Sequence, residues 1–318
     1  MFWEYFRITG SAVSQIFLIG ALGYFLVKEN ILGEAGLNSL SRLVVKVTLP
    51  LLIFCQLIKN FRFSLYPHWW LFPLLSIVIT TAGLLLGLLF TFFVRGQQQK
   101  MQVLSLIAFQ NSGYLPLALI AALLTGEKAD TMLTYLFLFL LGFNLLVWSL
   151  GVYMLSFHES KKFELASLFS PPVIAILFSL AIIFFGLNNY IPQPILRPLR
   201  LVGDCTLPLA LLVVGGNLAS IRLRHINKKA VLLTLAAKLV ILPVLGLCLV
   251  IKFNLPQLLS LLIVMESAVP PATSLSIISR HYKKEDLLIS QGVFFGHVAS
   301  LVTLPVFLSL YFMLAVIK

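Results

Sequence analysis

An all-α integral membrane fold of ten transmembrane helices is predicted by three features of the chain. Apolar residues make up 60% of its 318 residues and charged residues 11%, at a mean hydropathy of +1.02. A soluble domain of this size needs far more charge to cover its surface. The apolar residues fall into ten runs, most of them near the roughly 20 residues that span a bilayer as a helix. Short polar connectors containing breakers or charges separate the runs, such as Gly96-Gln97-Gln98-Gln99-Lys100 and His158-Glu159-Ser160-Lys161-Lys162.

The runs are read as helices over 11–28, 38–58, 69–94, 101–124, 131–156, 171–187, 196–219, 229–251, 256–279 and 287–314. The sixth is short and opens on Pro171-Pro172, residues suited to a first helical turn. No polar stretch is long enough for a soluble second domain. Near the N-terminus Glu4 and Arg7 cancel, so the positive segment of a signal peptide is missing, and Lys28 follows the first run instead. That polarity fits a retained helix.

Basic residues divide unequally between the two faces these helices define. The connectors after helices one, three, five, seven and nine, with their flanks, hold thirteen: Lys28, Arg42, Arg95, Lys100, Lys161, Lys162, Arg222, Arg224, Lys228, Lys229, Arg280, Lys283 and Lys284. The opposite face holds eight: Arg7, Lys59, Arg62, Lys128, Arg197, Arg200, Lys252 and Lys318. The excess predicts a multi-pass protein of the cell membrane with both termini extracytoplasmic. The net charge of +12 raises nucleic acid as a partner, but the cations form no stripe and no nucleic-acid motif accompanies them. The expected partner is the bilayer. Cys55, Cys205 and Cys248 lie inside apolar runs without CxxC spacing, so they read as small core residues, with no disulfide, metal or cofactor implied.

Two internal matches predict a duplication. The segment Arg42-Leu43-Val44-Val45-Lys46-Val47-Thr48-Leu49-Pro50-Leu51 shares seven of ten positions with Arg200-Leu201-Val202-Gly203-Asp204-Cys205-Thr206-Leu207-Pro208-Leu209. Asn111-Ser112-Gly113-Tyr114-Leu115-Pro116 aligns with Glu266-Ser267-Ala268-Val269-Pro270-Pro271. The offsets are 158 and 155 residues, in the same order. They divide one membrane domain into a five-helix unit (1–156), a cytoplasmic connector (157–170) and a second five-helix unit (171–318). Because five is odd, the second unit must be inserted upside down, a construction of secondary transporters.

Proline removes a helix donor and clashes with the preceding turn. Pro116 is therefore expected to free the carbonyl of Ser112, with Gly113 easing unusual backbone angles nearby. Pro270 and Pro271 are expected to free the carbonyls of Glu266 and Ser267. Backbone groups freed at membrane depth persist only where protein, water or a ligand satisfies them. Two broken helices at corresponding positions point to a transport site built from Asn111, Ser112, Gly113, Pro116, Glu266, Ser267, Pro270 and Pro271. The competing reading is a pair of proline kinks that only bend helices.

Five ionisable residues fall inside the runs. Lys46 and Asp204 stand four residues before equivalent prolines, so they are expected to face the midplane as an ion pair or shared polar network, unless Lys46 snorkels to the surface. Glu266 has no such escape and is a candidate proton carrier. Lys238 is within reach of the surface by snorkelling, and His297 reads equally as a satisfied core histidine. Helix N-termini at the breaks, with Lys46 and Lys238, permit an anion site, while Asp204 and Glu266 keep it near neutral. Such a site suits a carboxylate taken with a proton or exchanged for another carboxylate. No HExxH, GxSxG or P-loop pattern occurs. Gly215-Gly216 reads as a close helix contact. A cation–proton exchanger is the second reading. A membrane-bound enzyme acting on lipid-soluble substrates and a structural subunit are weaker ones, the first lacking a catalytic constellation and the second leaving both broken helices unexplained.

At these residues the chain resembles the auxin efflux carrier family, whose bacterial members are described as permeases of malonate and other organic acids. The resemblance spans nearly the whole chain. It rests on the ten-helix layout, Leu49-Pro50, Asn111-Ser112-Gly113-Tyr114-Leu115-Pro116, Glu266-Ser267-Ala268-Val269-Pro270-Pro271-Ala272, His281-Tyr282 and Thr303-Leu304-Pro305. It implies scaffold and transport domains, an elevator-like movement of small carboxylates, and helices four and nine that cross at their prolines. Asn111 and Pro116 match the first crossover and Pro271 the second. Plant carriers have an asparagine near the second crossover, where this chain has Glu266, Ser267 and Thr273, and many have a long middle loop that is absent here. The resemblance also implies a homodimer through the scaffold helices, although no motif in the sequence decides it.

Overall fold

The computed structural model describes residues 1–156, 168–221, 226–281 and 287–316. The predicted connector residues 157–167, the cations Lys161, Lys162, Arg222, Arg224, Lys283, Lys284 and Lys318, and Tyr282 lie outside the described residues.

Each predicted run contains helix, and two of them, 101–124 and 256–279, are interrupted. The elements are α1 (Phe2–Lys28), α2 (Glu34–Asn60), α3 (Leu71–Thr91), α4a (Gln97–Ala108), α4b (Tyr114–Leu123), α5 (Gly126–Leu155), α6 (Pro171–Phe184), α7 (Gln193–Ala219), α8 (Lys228–Phe253), α9a (Gln257–Ala268), α9b (Ser274–His281) and α10 (Leu287–Val316). Seven of these, α1, α2, α3, α5, α7, α8 and α10, are long and apolar enough to cross a membrane. Helix α6 and the halves of the two interrupted helices are shorter. Helix α1 begins nine residues earlier than its apolar run, taking Glu4 and Arg7 into its first turns. Pro171 opens α6 at the first helical position.

The interior is apolar on both sides of the crossing. Phe61, Phe109, Phe137, Phe139, Ile53 and Met132 are fully buried, whereas much of α1, α3 and α6 presents large apolar side chains outward. A bundle that is apolar outside as well as inside is suited to lipid. Helix α1 packs against the second half of α7 and also along α10, where Thr9 bonds Ser309, and α2 packs against α6 and the first half of α7. Helices α3, α4a and α5 form a second group, joined through α4a to α10, with α8 and α9a packed on α10.

The closest approach is between α1 and α7. A Cβ on Gly215 would collide with the Gly20 backbone, and one on Gly23 with that of Leu212. The predicted close contact at Gly215-Gly216 is therefore present, with α1 as its partner.

Three long helices contain a wide, π-type turn: Val44–Thr48 in α2, Val147–Gly151 in α5 and Ala237–Ile241 in α8. Those in α2 and α8 come shortly before Pro50 and Pro243. A proline leaves one carbonyl of the preceding turn without its donor, and widening the turn is one way the helix adjusts. Lys238 sits in the α8 turn.

Of the cysteines, Cys55 is buried as expected, but Cys205 and Cys248 are exposed. Both lie on outward faces of long apolar helices, where a small, weakly polar side chain is tolerated as readily as in a core.

Candidate functional site

Both interrupted helices break over five residues. Helix α4 stops at Ala108 and resumes at Tyr114; α9 stops at Ala268 and resumes at Ser274. The causes differ. In α9 the Pro270-Pro271 pair cannot continue a helix, and Val269 before it is extended, the conformation a following proline favours. In α4 the break is the run Phe109-Gln110-Asn111-Ser112-Gly113, whose small polar side chains compete with helical backbone bonds. Pro116 lies outside that break, in the first turn of α4b, where its missing N–H costs little. It helps to set where α4b starts rather than opening the gap.

The two breaks pair with each other. Gln110 and Pro271 form an antiparallel bridge. The Asn111 N–H donates to the Pro270 carbonyl at 2.8 Å, and the Ala272 N–H donates to the Phe109 carbonyl at 3.0 Å. Part of the backbone freed by the breaks is thus satisfied by the other break, as membrane depth demands. This pairing sets Gln110 opposite Pro271 and Asn111 opposite Pro270. Counted from the ends of the first half-helices, Ala108 and Ala268, Asn111 corresponds in position to Pro271, five residues beyond the Glu266 of the sequence alignment. Glu266 accordingly lies in the last turn of α9a rather than in the gap.

Asn111 also reaches α10. Its Nδ2 stands 3.2 Å from Nε2 of His297, whose Nδ1 is 2.8 Å from the Val293 carbonyl. A carbonyl can only accept, so Nδ1 carries the ring proton and Nε2 accepts from the amide. His297 is buried and satisfied, as a core histidine would be, but one of its two partners is the crossover asparagine.

A cavity of about 140 Å³ opens beside the crossing, lined by Gln110, Asn111, Ser112, Gly113 and Tyr114 from α4, and by Ala272, Thr273 and Ser274 from α9. Asn144 and Trp148 of α5 and Ser170 before α6 close it. Residues at the starts of both second half-helices, α4b and α9b, therefore face one space. Of the eight residues predicted to bind substrate, Asn111, Ser112 and Gly113 line this cavity. Pro270 and Pro271 build the crossing behind it. Pro116 is buried within α4b. Ser267 is turned away, donating to the Val264 carbonyl at 2.9 Å.

Glu266 and Lys238 are completely buried, so the surface route open to Lys238 in the sequence is not taken. They lie within electrostatic range of each other, and the Ser112 and Gln110 side chains approach the Glu266 carboxyl. None of these contacts completes a well-formed hydrogen bond: both Glu266 oxygens, Lys238 Nζ, Ser112 Oγ and both Gln110 side-chain atoms lack a partner of good geometry. Four unpartnered polar side chains in one buried cluster are costly and leave donors and acceptors available to a proton, water or ligand. Gln110 was not singled out by sequence reasoning, although the polar run Gln110-Asn111-Ser112-Gly113 inside an apolar segment carried the signal.

The expected Lys46–Asp204 pair does not form. Lys46 is exposed. Asp204 pairs with Arg200 one turn earlier on the same helix, at 3.7 Å. Helices α2 and α7 cross with Gly203 packed against the Leu52 backbone, and this contact turns the two charges outward.

The sequence matches the family described as Membrane transport protein over residues 9–162 and 156–308. It is 26% identical to an uncharacterised transporter of Methanothermobacter thermautotrophicus over 303 residues, covering 92% of this chain and 95% of that protein. An uncharacterised transporter of Methanocaldococcus jannaschii is 24% identical, over 91% of this chain and 94% of its own length. Protein PIN-LIKES 1 of Arabidopsis thaliana is 28% identical over 164 residues, which is 46% of this chain and 34% of that protein. With a membrane-suited bundle, two helices broken at one crossing and a family match that spans most of its length, the chain belongs to the membrane transport protein family, the auxin efflux carriers, and is a multi-pass membrane transporter.

Proposed function

We propose that the protein is a secondary carrier of small organic anions, carboxylates among them, working by alternating access at the crossing of α4 and α9. The observation that carries this reading is the cavity shared by the starts of α4b and α9b. A helix start presents free N–H groups and a partial positive charge, and two of them facing one space favour an anion. Asn111 and Ser112 add polar side chains at the same place. The small volume suits a short carboxylate.

Residues 1–156 and 171–318 act in this reading as two inverted five-helix units joined by a cytoplasmic connector. Helices α1, α2, α6 and α7 serve as scaffold, and α3 to α5 with α8 to α10 move against them. The α1–α7, α2–α6, α2–α7 and α3–α5 contacts favour that division, and the α1–α10 contact is then the surface along which the two parts move. Both termini face outward, following the distribution of basic residues. The buried Glu266 and Lys238 make a pair of nearly zero net charge beside the cavity, so an anion can be taken with a proton without leaving charge uncompensated in the membrane.

A second reading, cation–proton exchange, is favoured by one feature: both oxygens of the buried Glu266 are open, with Gln110 and Ser112 beside them. A thermal-shift screen of purified protein against mono- and dicarboxylates, sodium and potassium, each at two pH values, separates the readings, since a ligand that binds only the folded state stabilises it. A shift with one carboxylate class that is lost in Asn111→Ala, followed by uptake of that compound into proteoliposomes, supports the anion carrier. Stabilisation by sodium or potassium alone supports the exchanger. Anion uptake indifferent to proton and charge gradients removes the proton-coupled form.

A further inference from the structure

Half of the cations assigned to the less basic face converge on a single cavity. Lys59 and Arg62 at the end of α2, with Arg197 and Arg200 on the first turns of α7, line a space of about 420 Å³. Asn188 and Gln193 add amide groups, and no carboxylate lines it. The positive-inside rule accounts for Lys and Arg on the opposite face and predicts their scarcity here, so topology does not explain this cluster.

Protein groups satisfy only part of it. The Arg62 guanidinium donates to the carbonyls of Ile58 at 3.1 Å and Phe61 at 2.6 Å, closing the end of α2. Arg200 Nε faces Asp204 at 3.7 Å, but its Nη1 is buried without a partner. Arg200 lies seven residues into α7, about 10 Å along the helix from its start, and lines the cavity together with Arg197. Gln193, Arg197, Arg200 and Asp204 repeat at three- and four-residue spacing and share one face of α7. A concave wall with one sign of charge concentrates potential, and guanidinium groups match the oxygens of carboxylates and phosphates.

We propose that this cavity is a second anion site, distinct from the crossover, which binds an oxyanion group through Lys59, Arg197 and Arg200. None of its lining residues is shared with the cavity at the crossing. Two sources supply such a group: the phosphate of an anionic lipid, admitted past the apolar wall of Cys55, Ile58 and Leu196, or a soluble phosphate or polycarboxylate.

The test compares wild type, the double variant Lys59→Gln/Arg197→Gln, and Asp204→Asn. Inorganic phosphate and citrate are titrated against protein in phosphatidylcholine nanodiscs, and retention of phosphatidylglycerol over phosphatidylcholine is read by native mass spectrometry. In the double variant, binding is expected to weaken about tenfold or more, as loss of two charge contacts implies. In Asp204→Asn, which frees Arg200 from its carboxylate, binding is expected to strengthen, a direction that damage to the fold does not produce. Phosphate or citrate binding in phosphatidylcholine discs assigns the soluble source, and selective phosphatidylglycerol retention assigns the lipid. No binding of any probe by wild type, or equal binding by all three proteins, overturns the proposal. These readouts do not involve transport, so their failure leaves the crossover reading standing.

Discussion

The hydrogen bond between Asn111 and His297 gives a sharp test of the crossover, because it joins residues 186 positions apart across two helices. The perturbation is a double-mutant cycle: Asn111→Ala, His297→Ala and the two together. A neutral hydrogen bond contributes about 1 kcal/mol net, and a buried polar atom left without its partner costs roughly 1–3 kcal/mol. Asn111→Ala strips Nε2 of its donor while Nδ1 keeps the Val293 carbonyl. His297→Ala removes the ring, leaves a void and strands the Asn111 amide. Each single variant therefore carries a desolvation penalty that the double variant escapes. The expected coupling is about 1–2 kcal/mol, with the double variant more stable than the sum of the singles predicts. Apparent stability in detergent, measured by thermal unfolding with an environment-sensitive dye, reads the cycle. Additive single effects would refute the assignment of His297 as the partner of Asn111. In the same variants, proteoliposome uptake separates stability from function: Asn111→Ala is expected to abolish transport even where the folded fraction is recovered by cooling or added lipid.

Lys238→Met removes the nearby cation from the buried Glu266 carboxyl and is expected to cost about 1–3 kcal/mol. Lys238→Met/Glu266→Gln, with neither charge, should recover most of that loss in a thermal melt while remaining inactive in uptake. Gly215→Leu drives a side chain into the Gly20 backbone and is expected to destabilise by 1–3 kcal/mol or more, read as reduced folded yield by size-exclusion chromatography; wild-type yield would contradict the tight α1–α7 contact. In a background with its cysteines replaced, a cysteine at Gln98 is expected to react with an impermeant maleimide only from the cytoplasmic side, and one at Asn189 only from outside. The reverse pattern would invert the orientation drawn from the basic residues.

The helical layout was legible because its signal is local. Ten apolar runs and their charged connectors predict where helices fall. The crossing was legible in location but not in register. Pro116 and Pro271 looked equivalent because both are prolines after polar residues, yet one caps the restart of a helix and the other sits inside the gap. Contacts between distant residues left no local pattern. That is why the link from His297 to Asn111 went unseen, Lys46 seemed to face Asp204, and the basic cavity was hidden in a count of charges per face.

The bonds that join the two breaks run between backbone groups, from Asn111 to Pro270 and from Ala272 to Phe109. Side chains at the crossing are thereby released from the task of holding it together. Residues such as Gln110, Ser112 and Thr273 can be exchanged without unpicking the bridge, so if the crossing is the substrate site, as proposed, its preference is open to change one residue at a time on an architecture that does not have to be rebuilt. The same arrangement offers a practical handle: libraries confined to those three positions should return mostly folded transporters of altered selectivity.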